Sequence, residues 1–263
     1  MSGTAQRPRA LVVGLGIAGI ATAVRLRQVG WEPVLLERAA TRRSSGYFIA
    51  LFGAGVAAAR RLGVLEEIGD RSHPEFVAYE VNRAGRRRPG LGFGNLPAAP
   101  RSLLRGDAEQ GLFSALPEDV EVRYSTVPAQ ITQDETGAEV TLRDTASGAT
   151  VTERFDLVVG ADGMRSTVRE LVFGPHGEHL RPLNYMIGAT VLDGPLDGFR
   201  QHEGWSWPNR DARCGRSPSV TTRPACCSPT APAMSTPSSR ARRSSPSAPP
   251  SDHSLPARSW SPC

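Results

Sequence analysis

The stretch that decides the fold is residues 11–38, LVVGLGIAGIATAVRLRQVGWEPVLLER. A short apolar run, RALVV at 9–13, leads directly into glycine, which is typical of a strand buried on both faces of a parallel sheet. The pattern that follows predicts a helix over about residues 17–29, ended by Gly30. PVLLER then predicts a second parallel strand. Together these elements make one βαβ unit.

Three glycines in this unit, Gly14, Gly16 and Gly19, have the spacing of a dinucleotide-binding turn. The first lets the chain turn out of the strand, the second lets backbone N–H groups approach a pyrophosphate, and the third lets the helix pack close to the strand. Glu37, at the end of the second predicted strand, is placed to accept hydrogen bonds from a ribose, which favours FAD or NAD over NADP. The alternative is a glycine-rich turn that holds no ligand.

The rest of the chain alternates helices and strands as far as about residue 205. We predict three further helices, at 53–68 with a break near Gly63, at about 106–116, and from about Thr167. We predict strands in the following stretches: 76–94 as two short strands, a β-meander over 121–155 that starts with EVRYSTV, a buried strand in FDLVVGADG, and YMIGATVLDG at 185–194.

The net charge of +5 is unevenly distributed, and no lysine occurs in the 263 residues. Residues 212–263 hold seven arginines against one acid, Asp252, so the basic charge belongs to that segment. All four cysteines also lie there, and residues 1–211 contain none. A reducing, cytoplasmic compartment is therefore expected.

Several stretches, in order along residues 9–200, resemble the FAD-dependent aromatic-hydroxylase-type monooxygenases, which include tetracycline- and other antibiotic-modifying flavoenzymes. They are VVGLGIAGIATAVRLRQVGWEPVLLER, SGYFIALFGAG, LLRGDAEQGL, VRYSTVPAQI and LVVGADGMRSTVRELVFG. The resemblance favours FAD as the dinucleotide. It implies an α/β fold: an FAD/NAD(P)-binding Rossmann-like domain with a β-meander insertion, plus a partial β-sheet substrate domain.

The resemblance also implies roles for individual residues. The FAD pyrophosphate would lie against Gly14, Gly16, Ile17, Ala18 and Gly19. The remaining implied contacts with FAD are Glu37 on the ribose, Arg38 beside the adenosine half, Arg105 as a cation near the phosphates, the Val127 backbone at the adenine, and Asp162 in the GADG motif.

Some of these implied roles have open alternatives. Arg105 is otherwise a surface arginine beside Asp107, and Asp162 otherwise stabilises its own glycine turn. Tyr47 and Phe48 either lie near the flavin and substrate or are plain packing residues. No catalytic side chain and no metal site are predicted, because the difficult chemistry in this family belongs to the flavin.

The predicted organisation is an FAD-binding domain from 1–75 and 96–180, a partial substrate-binding domain from 76–95 and 181–205, and a disordered Arg/Pro/Ser-rich tail from 206–263. The tail holds 13 Ser and 10 Pro within residues 212–263. The only Gly-Asp pairs come before residue 110, whereas the family has a later one that contacts the flavin. A frameshift near residue 205 is the hypothesis, and a native disordered tail is the competing explanation.

The predicted function is an FAD-dependent monooxygenase that uses NAD(P)H and O₂ to hydroxylate a small aromatic or polyketide-like molecule, with low activity if the chain is truncated. The alternatives are a non-catalytic FAD- or NAD-binding remnant and a flavin dehydrogenase or halogenase on the same fold. No nucleic-acid or membrane partner is expected, since the arginine-rich tail lacks interleaved aromatics and no apolar run is long enough to span a bilayer. The sequence leaves the oligomeric state open.

Overall fold

The protein is described here from a computed structural model. The described residues are 7–42, 46–82, 84–92, 95–96, 100–183, 186–191, 200, 202–208, 213–217 and 225–230. All of them belong to one unit of the chain, Met1–Pro232.

A parallel four-stranded sheet forms the centre of the fold, in the order β11-β1-β2-β7. Its strands are β1 (Arg9–Val13), β2 (Glu32–Leu36), β7 (Glu121–Arg123) and β11 (Leu157–Gly160). Helix α1 (Ile17–Gln28) connects β1 to β2, so the predicted βαβ unit is present with its elements within two residues of their expected bounds.

The two faces of this sheet bury separate apolar clusters, because alternate side chains of a strand point to opposite faces. On one face Val12 and Leu35 pack with Ile20 and Val24 of α1. On the other face Leu11, Val34 and Leu36 pack with side chains of a β-meander. The parallel sheet is therefore a covered middle layer, which explains the continuous apolar runs of β1 and β2.

The meander is a three-stranded antiparallel sheet of β8 (Thr126–Asp134), β9 (Gly137–Asp144) and β10 (Thr150–Phe155). The sequence prediction placed EVRYSTV in it as one strand, and that is wrong. Glu121–Arg123 is β7, which pairs with β2 in the parallel sheet, and the meander starts only at Thr126. Ser125 separates the two strands with a φ of 50°.

Strand β11 is the edge of the parallel sheet and is not the buried strand that its sequence predicts. Leu157 is 37% exposed, and Val158 and Val159 are only partly buried. Helix α4 (Thr167–Phe173) follows it, and the short helix α5 (His176–His179) comes next.

A second group of elements brings two quoted motifs together. Strands β3 (Phe48–Leu51) and β6 (Arg101–Leu104) pair antiparallel, and neither was predicted as a strand. Each leads into a helix: α2 (Gly53–Leu62) follows β3, and α3 (Arg105–Ser114) follows β6. Gly63 ends α2 with a φ of 77°, as the predicted break at that position implies.

The remaining strands form a six-stranded sheet in the order β12-β15-β14-β13-β4-β5. Their bounds are β4 (Val77–Val81), β5 (Arg87–Pro89), β12 (Met186–Val191), β13 (Glu203–Pro208), β14 (Arg213–Ser217) and β15 (Ala225–Thr230). Residue 206, the predicted start of the disordered tail, therefore lies within strand β13. Two more strands, β14 and β15, follow it, because backbone pairing with neighbouring strands stabilises segments whose sequence has no strand periodicity. From residue 231 the predicted tail lies outside the described residues.

The α/β fold class with its meander insertion is confirmed, and the division into an FAD-binding and a substrate-binding domain stays a prediction. The parallel sheet brings the carboxyl ends of β1, β2 and β11 to one edge. In open α/β sheets, ligands bind at this edge, and most of the predicted site residues lie there.

Candidate functional site

The turn between β1 and α1 is held closed by two glycines. Gly14 has a φ of 110°, and a Cβ at this position would lie 2.5 Å from the carbonyl oxygen of Ala161. A Cβ at Gly19 would lie 1.8 Å from the carbonyl oxygen of Gly14. Contacts this short with backbone atoms cannot be relieved by side-chain motion, so the protein's own packing demands both glycines.

Gly16 differs from them, because nothing in the protein requires glycine there. Its φ is −91°, and a Cβ would come no closer than 3.7 Å to Arg105 Nη2 and 3.8 Å to Glu109 Oε1. The space beside the Gly16 backbone is therefore open to a group of at least methyl size. This matches the second glycine of a dinucleotide turn, whose absent side chain leaves room for a phosphate.

Helix α1 begins without any internal cap. Gly16 is its N-cap residue, no side chain caps it, and its first turn contains no acid. Within the described part of the chain, the N–H groups of residues 16–19 have no hydrogen-bond acceptor. Free N–H donors and the positive end of the helix dipole make such a terminus suited to an anion, so the residues present fit a pyrophosphate.

Glu37 lies beside this turn, at the carboxyl end of β2. Its Oε2 accepts a hydrogen bond from the N–H of Leu15 at 3.2 Å, and its Oε1 accepts one from the N–H of Ala39 at 2.8 Å. Each carboxylate oxygen has a second lone pair. The carboxylate is thus fixed in place by backbone donors and retains the capacity to accept from a ribose hydroxyl.

Arg38 and Val127 flank Glu37 from two directions. Arg38 follows it in the chain and is exposed. The carbonyl of Glu37 accepts a hydrogen bond from the N–H of Thr126 at 3.0 Å, which brings the start of β8 and with it Val127 next to the end of β2. The structure thus places the residues that the resemblance assigned to the adenosine half near one another, and their contacts with FAD stay predictions.

Arg105 reaches the glycine turn from α3, of which it is the first residue. Its N–H donates to the carbonyl of Tyr47 at 2.9 Å, which joins the LLRGD and SGYFIAL stretches. The side chain forms an ion pair with Glu109 (Nη2 to Oε1, 2.5 Å), which neither the resemblance nor the alternative of a surface arginine beside Asp107 predicted. Asp107 instead binds Arg71 with both of its oxygens.

Glu109 was not predicted to belong to the site. It is 6% exposed although it is an acid, and it lies beside Gly16 together with Arg105. Burial raises the pKa of Glu109, while the Arg105 and Arg42 guanidinium groups act in the opposite direction. Its helical neighbours Ala108 and Leu112 are buried, so the helical period alone would have shown that an acid falls on the inner face.

Asp162 uses its carboxylate to cap α4. Oδ1 accepts from the hydroxyl of Ser166 at 2.5 Å, and Oδ2 accepts from the N–H groups of Thr167 at 2.6 Å and Val168 at 3.2 Å. Ser166 is the N-cap residue and accepts from the N–H of Arg169 at 3.0 Å. This geometry matches the alternative in which Asp162 stabilises its own turn, and its contact with FAD stays a prediction.

Tyr47 and Phe48 are the aromatic residues predicted either to face the flavin or to pack. Tyr47 is 51% exposed and precedes β3, and Phe48 is partly buried as the first residue of that strand. The ring of Tyr47 is exposed, while its carbonyl accepts the hydrogen bond from the Arg105 N–H, so both interpretations stay open.

A separate cavity of about 210 Å³ lies at the opposite edge of the sheet and is lined by Arg7, Arg27, Glu32, Pro33, Asp119 and Val120. It touches the amino end of β2 and none of the predicted site residues. Among the described residues, no cluster of three or more potential metal ligands is present. No helix in that part of the chain is long and apolar enough to cross a membrane.

The comparison with known protein families agrees with the geometry of this turn, which fits a dinucleotide phosphate. The model of the FAD binding domain family matches residues 7–216, which include every predicted cofactor residue. The chain belongs to the FAD binding domain family. The predicted cofactor, FAD, is thereby confirmed, and so is the resemblance to FAD-dependent aromatic-hydroxylase-type monooxygenases.

Two of the curated relatives are monooxygenases. A flavin-dependent monooxygenase from an unknown prokaryotic organism is 29% identical over 189 residues, which are 71% of this chain and 47% of the relative. The 6-hydroxynicotinate 3-monooxygenase of Pseudomonas fluorescens is 29% identical over 72% of this chain and 49% of its own length. This chain thus spans about half the length of the curated relatives it matches.

Among solved structures, Klebsiella pneumoniae HpxO in complex with FAD and uric acid matches with a TM-score of 0.68 at 18% identity. The match covers 87% of this chain and 58% of HpxO. It shows that the two proteins share a fold.

Proposed function

We propose that the protein is an FAD-dependent monooxygenase that uses NAD(P)H and O₂ to hydroxylate a small aromatic molecule. The observation that carries the proposal is the uncapped start of α1 beside the open backbone of Gly16, which suits a dinucleotide phosphate. The flavin-dependent monooxygenases among the relatives support the reaction class.

In this proposal the protein binds and orients the flavin dinucleotide, and it excludes water from the reaction. The N–H groups of residues 16–19 donate to the pyrophosphate, Arg105 supplies a nearby positive charge, and Glu37 accepts from the ribose. FAD, when bound, supplies the redox chemistry that activates O₂. No side chain of this chain is assigned a proton transfer.

The substrate class rests on the relatives. The 6-hydroxynicotinate 3-monooxygenase acts on a hydroxylated aromatic ring, and HpxO was crystallised with uric acid. A planar, electron-rich aromatic or polyketide-like substrate is therefore the proposal for this chain. Low activity, the absence of nucleic-acid and membrane partners, and a cytoplasmic location stay predictions.

A binding experiment tests the flavin site with a matched pair of substitutions. FAD is titrated into the full chain and followed by flavin fluorescence and calorimetry, for the wild type, Gly16→Ala and Gly53→Ala. Gly16 is the N-cap residue of α1 and Gly53 the first residue of α2, and neither is crowded by protein atoms closer than 3.7 Å. We expect Gly16→Ala to weaken FAD binding at least about tenfold because the methyl group fills the phosphate position, while Gly53→Ala binds like the wild type.

A turnover experiment separates the monooxygenase from a non-catalytic FAD-binding protein. NADH or NADPH is added to the FAD-loaded chain with a panel of hydroxylated aromatic and N-heteroaromatic compounds. The monooxygenase proposal expects substrate-dependent NAD(P)H oxidation and a product that has gained one oxygen atom from O₂, measured by mass spectrometry. Tight FAD binding without oxygenated product from any compound would favour the non-catalytic alternative.

A further inference from the structure

Glu109 stands where the proposed function requires an anion. Its carboxylate Oε1 and the Arg105 Nη2 that it binds lie 3.8 Å and 3.7 Å from the position of a Cβ at Gly16. The Glu109 side chain is 8% exposed, whereas that of Arg105 is 41% exposed. The protein therefore pairs its site arginine with an acid of its own, next to the backbone that would bind the pyrophosphate.

The charges around Glu109 are mixed. Arg105 of the same helix and Arg42 of the segment after β2 oppose its protonation, whereas Glu37 at the end of β2 favours it. Arg42 is also engaged with Gln110 by a hydrogen bond and stacks over the Phe113 ring at 4.3 Å from its centroid. A pyrophosphate beside Gly16 would add negative charge next to two carboxylates, and this repulsion is weakly screened where water is excluded.

We propose that Glu109 determines the affinity of the site for FAD by competing with the flavin's phosphates for Arg105. This inference rests on the proposed function, because it takes the pyrophosphate to lie beside Gly16. For Arg105 to turn to a phosphate, the ion pair with Glu109 has to open, and the buried carboxylate that remains is stabilised by taking up a proton from solvent. Flavin binding is then coupled to proton uptake at Glu109.

The coupling predicts the direction in which FAD affinity changes with pH, and a matched variant serves as the control. FAD is titrated into the full chain between about pH 5.5 and 8, a range in which ordinary Asp and Arg side chains do not titrate, and the histidines that do are common to all the variants. The variants are Glu109→Gln and, as the matched control, Glu66→Gln, since Glu66 also pairs with an arginine, Arg101, but has an 84% exposed side chain.

We expect Glu109→Gln to bind FAD roughly tenfold more tightly at neutral pH, because one like charge has been removed at short range. Wild-type affinity should rise as the pH falls, the Glu109→Gln affinity should stay nearly constant, and Glu66→Gln should follow the wild type. A second measurement needs no variant: calorimetry in buffers of different ionisation enthalpy should detect proton uptake when FAD binds to the wild type near neutral pH.

Wild-type binding that is tight, independent of pH and without proton uptake would overturn the inference and leave the proposed FAD site intact. Equal or weaker FAD binding by a folded Glu109→Gln protein would also overturn it. A failure of all three proteins to bind FAD would reject both the inference and the proposed function. Binding by Glu109→Gln alone would support both, since it would show that the native acid blocks the site.

Discussion

Two neighbouring parallel strands, β1 and β11, each run through a glycine turn into a helix, but the two helices begin in opposite ways. Helix α4 is capped by side chains of its own turn, because Asp162 and Ser166 together accept hydrogen bonds from three of its first N–H groups. Helix α1 has no capping side chain and no acid in its first turn.

Of these two turns, the one that leads into α1 is left open to a ligand. A helix N-terminus leaves four N–H groups without an intrahelical partner, and side chains, water or a ligand can accept from them. At α4 an aspartate takes the place that an anion would occupy. At α1 the same positions are left open, and of the three glycines in its turn Gly16 is the one whose small size the protein itself does not require.

The largest effect is expected at Gly19. A methyl group there would lie 1.8 Å from the carbonyl oxygen of Gly14, so Gly19→Ala must move α1 away from β1 and open the buried cluster on that face. We expect a loss of at least about 3 kcal/mol in the free energy of unfolding, at the high end for a single substitution. Urea denaturation followed by circular dichroism of the ligand-free protein measures it.

Gly16→Ala is the control in the same turn, because its added methyl group meets only van der Waals contacts. It should lower the ligand-free unfolding free energy by no more than about 1 kcal/mol, the order of the preference for glycine over alanine at an N-cap, and so by much less than Gly19→Ala. If the two variants were equally destabilised, the distinction between glycines that the fold requires and one that a ligand requires would be wrong.

An effect of intermediate size on stability is expected at the capped helix, α4. Asp162→Ala removes the acceptor of two N–H groups and of the Ser166 hydroxyl, and should cost about 1–2 kcal/mol, the range for a lost helix cap. Because capping explains these contacts, we expect the folded variant to keep its affinity for FAD. Unfolding by urea and FAD titration of the same sample give the two values.

Ser166→Ala keeps the carboxylate and removes the N-cap hydroxyl that accepts from Arg169, so it should be milder than Asp162→Ala. A large loss of FAD affinity in Asp162→Ala with little loss of stability would instead assign this aspartate to the flavin. That result would make the two turns alike in function, contrary to the comparison.

The sequence predicted the β1 turn well and the burial of β11 poorly, for a physical reason. Around Gly14 the signals are local: an apolar strand, three spaced glycines, a helical period and an acid all lie within residues 9–38. The burial of β11 depends instead on whether another strand covers its outer edge, which no local pattern encodes. Its apolar residues predicted a central strand, and it lies at the edge.

Long-range pairing also decided the other errors. Glu121–Arg123 alternates like a meander strand, but it joins the parallel sheet because β2 has a free edge there. The helical period would have placed Glu109 on the inner face of α3, but its position beside the flavin turn depends on Gly16, a residue far away in the chain. Arg105 was singled out because a family motif contains it, and its ion pair with Glu109 was not predicted.

The smallest predicted effect concerns the N-terminus of a third helix, α3, whose capping is intermediate between that of α1 and that of α4. Asp107 in its first turn accepts from the N–H of Leu104 at 3.1 Å and binds Arg71 with both oxygens. The Arg71 guanidinium holds the pKa of Asp107 below its usual value of 3.8. The carboxylate therefore stabilises the folded state fully above that value, and this contribution is lost as the pH falls through the lowered pKa of the folded protein.

Asp107→Asn should lower the unfolding free energy by about 1 kcal/mol at neutral pH, the order expected for a partly exposed ion pair. The difference between wild type and variant should shrink below about pH 4, where the unfolded wild type is already protonated and the folded one follows. Urea titrations of both proteins at matched pH values measure this difference, in which carboxylates common to both cancel. A difference that stays constant down to acid pH would mean that Asp107 acts through packing or neutral hydrogen bonds, and that the charge at this helix start adds nothing.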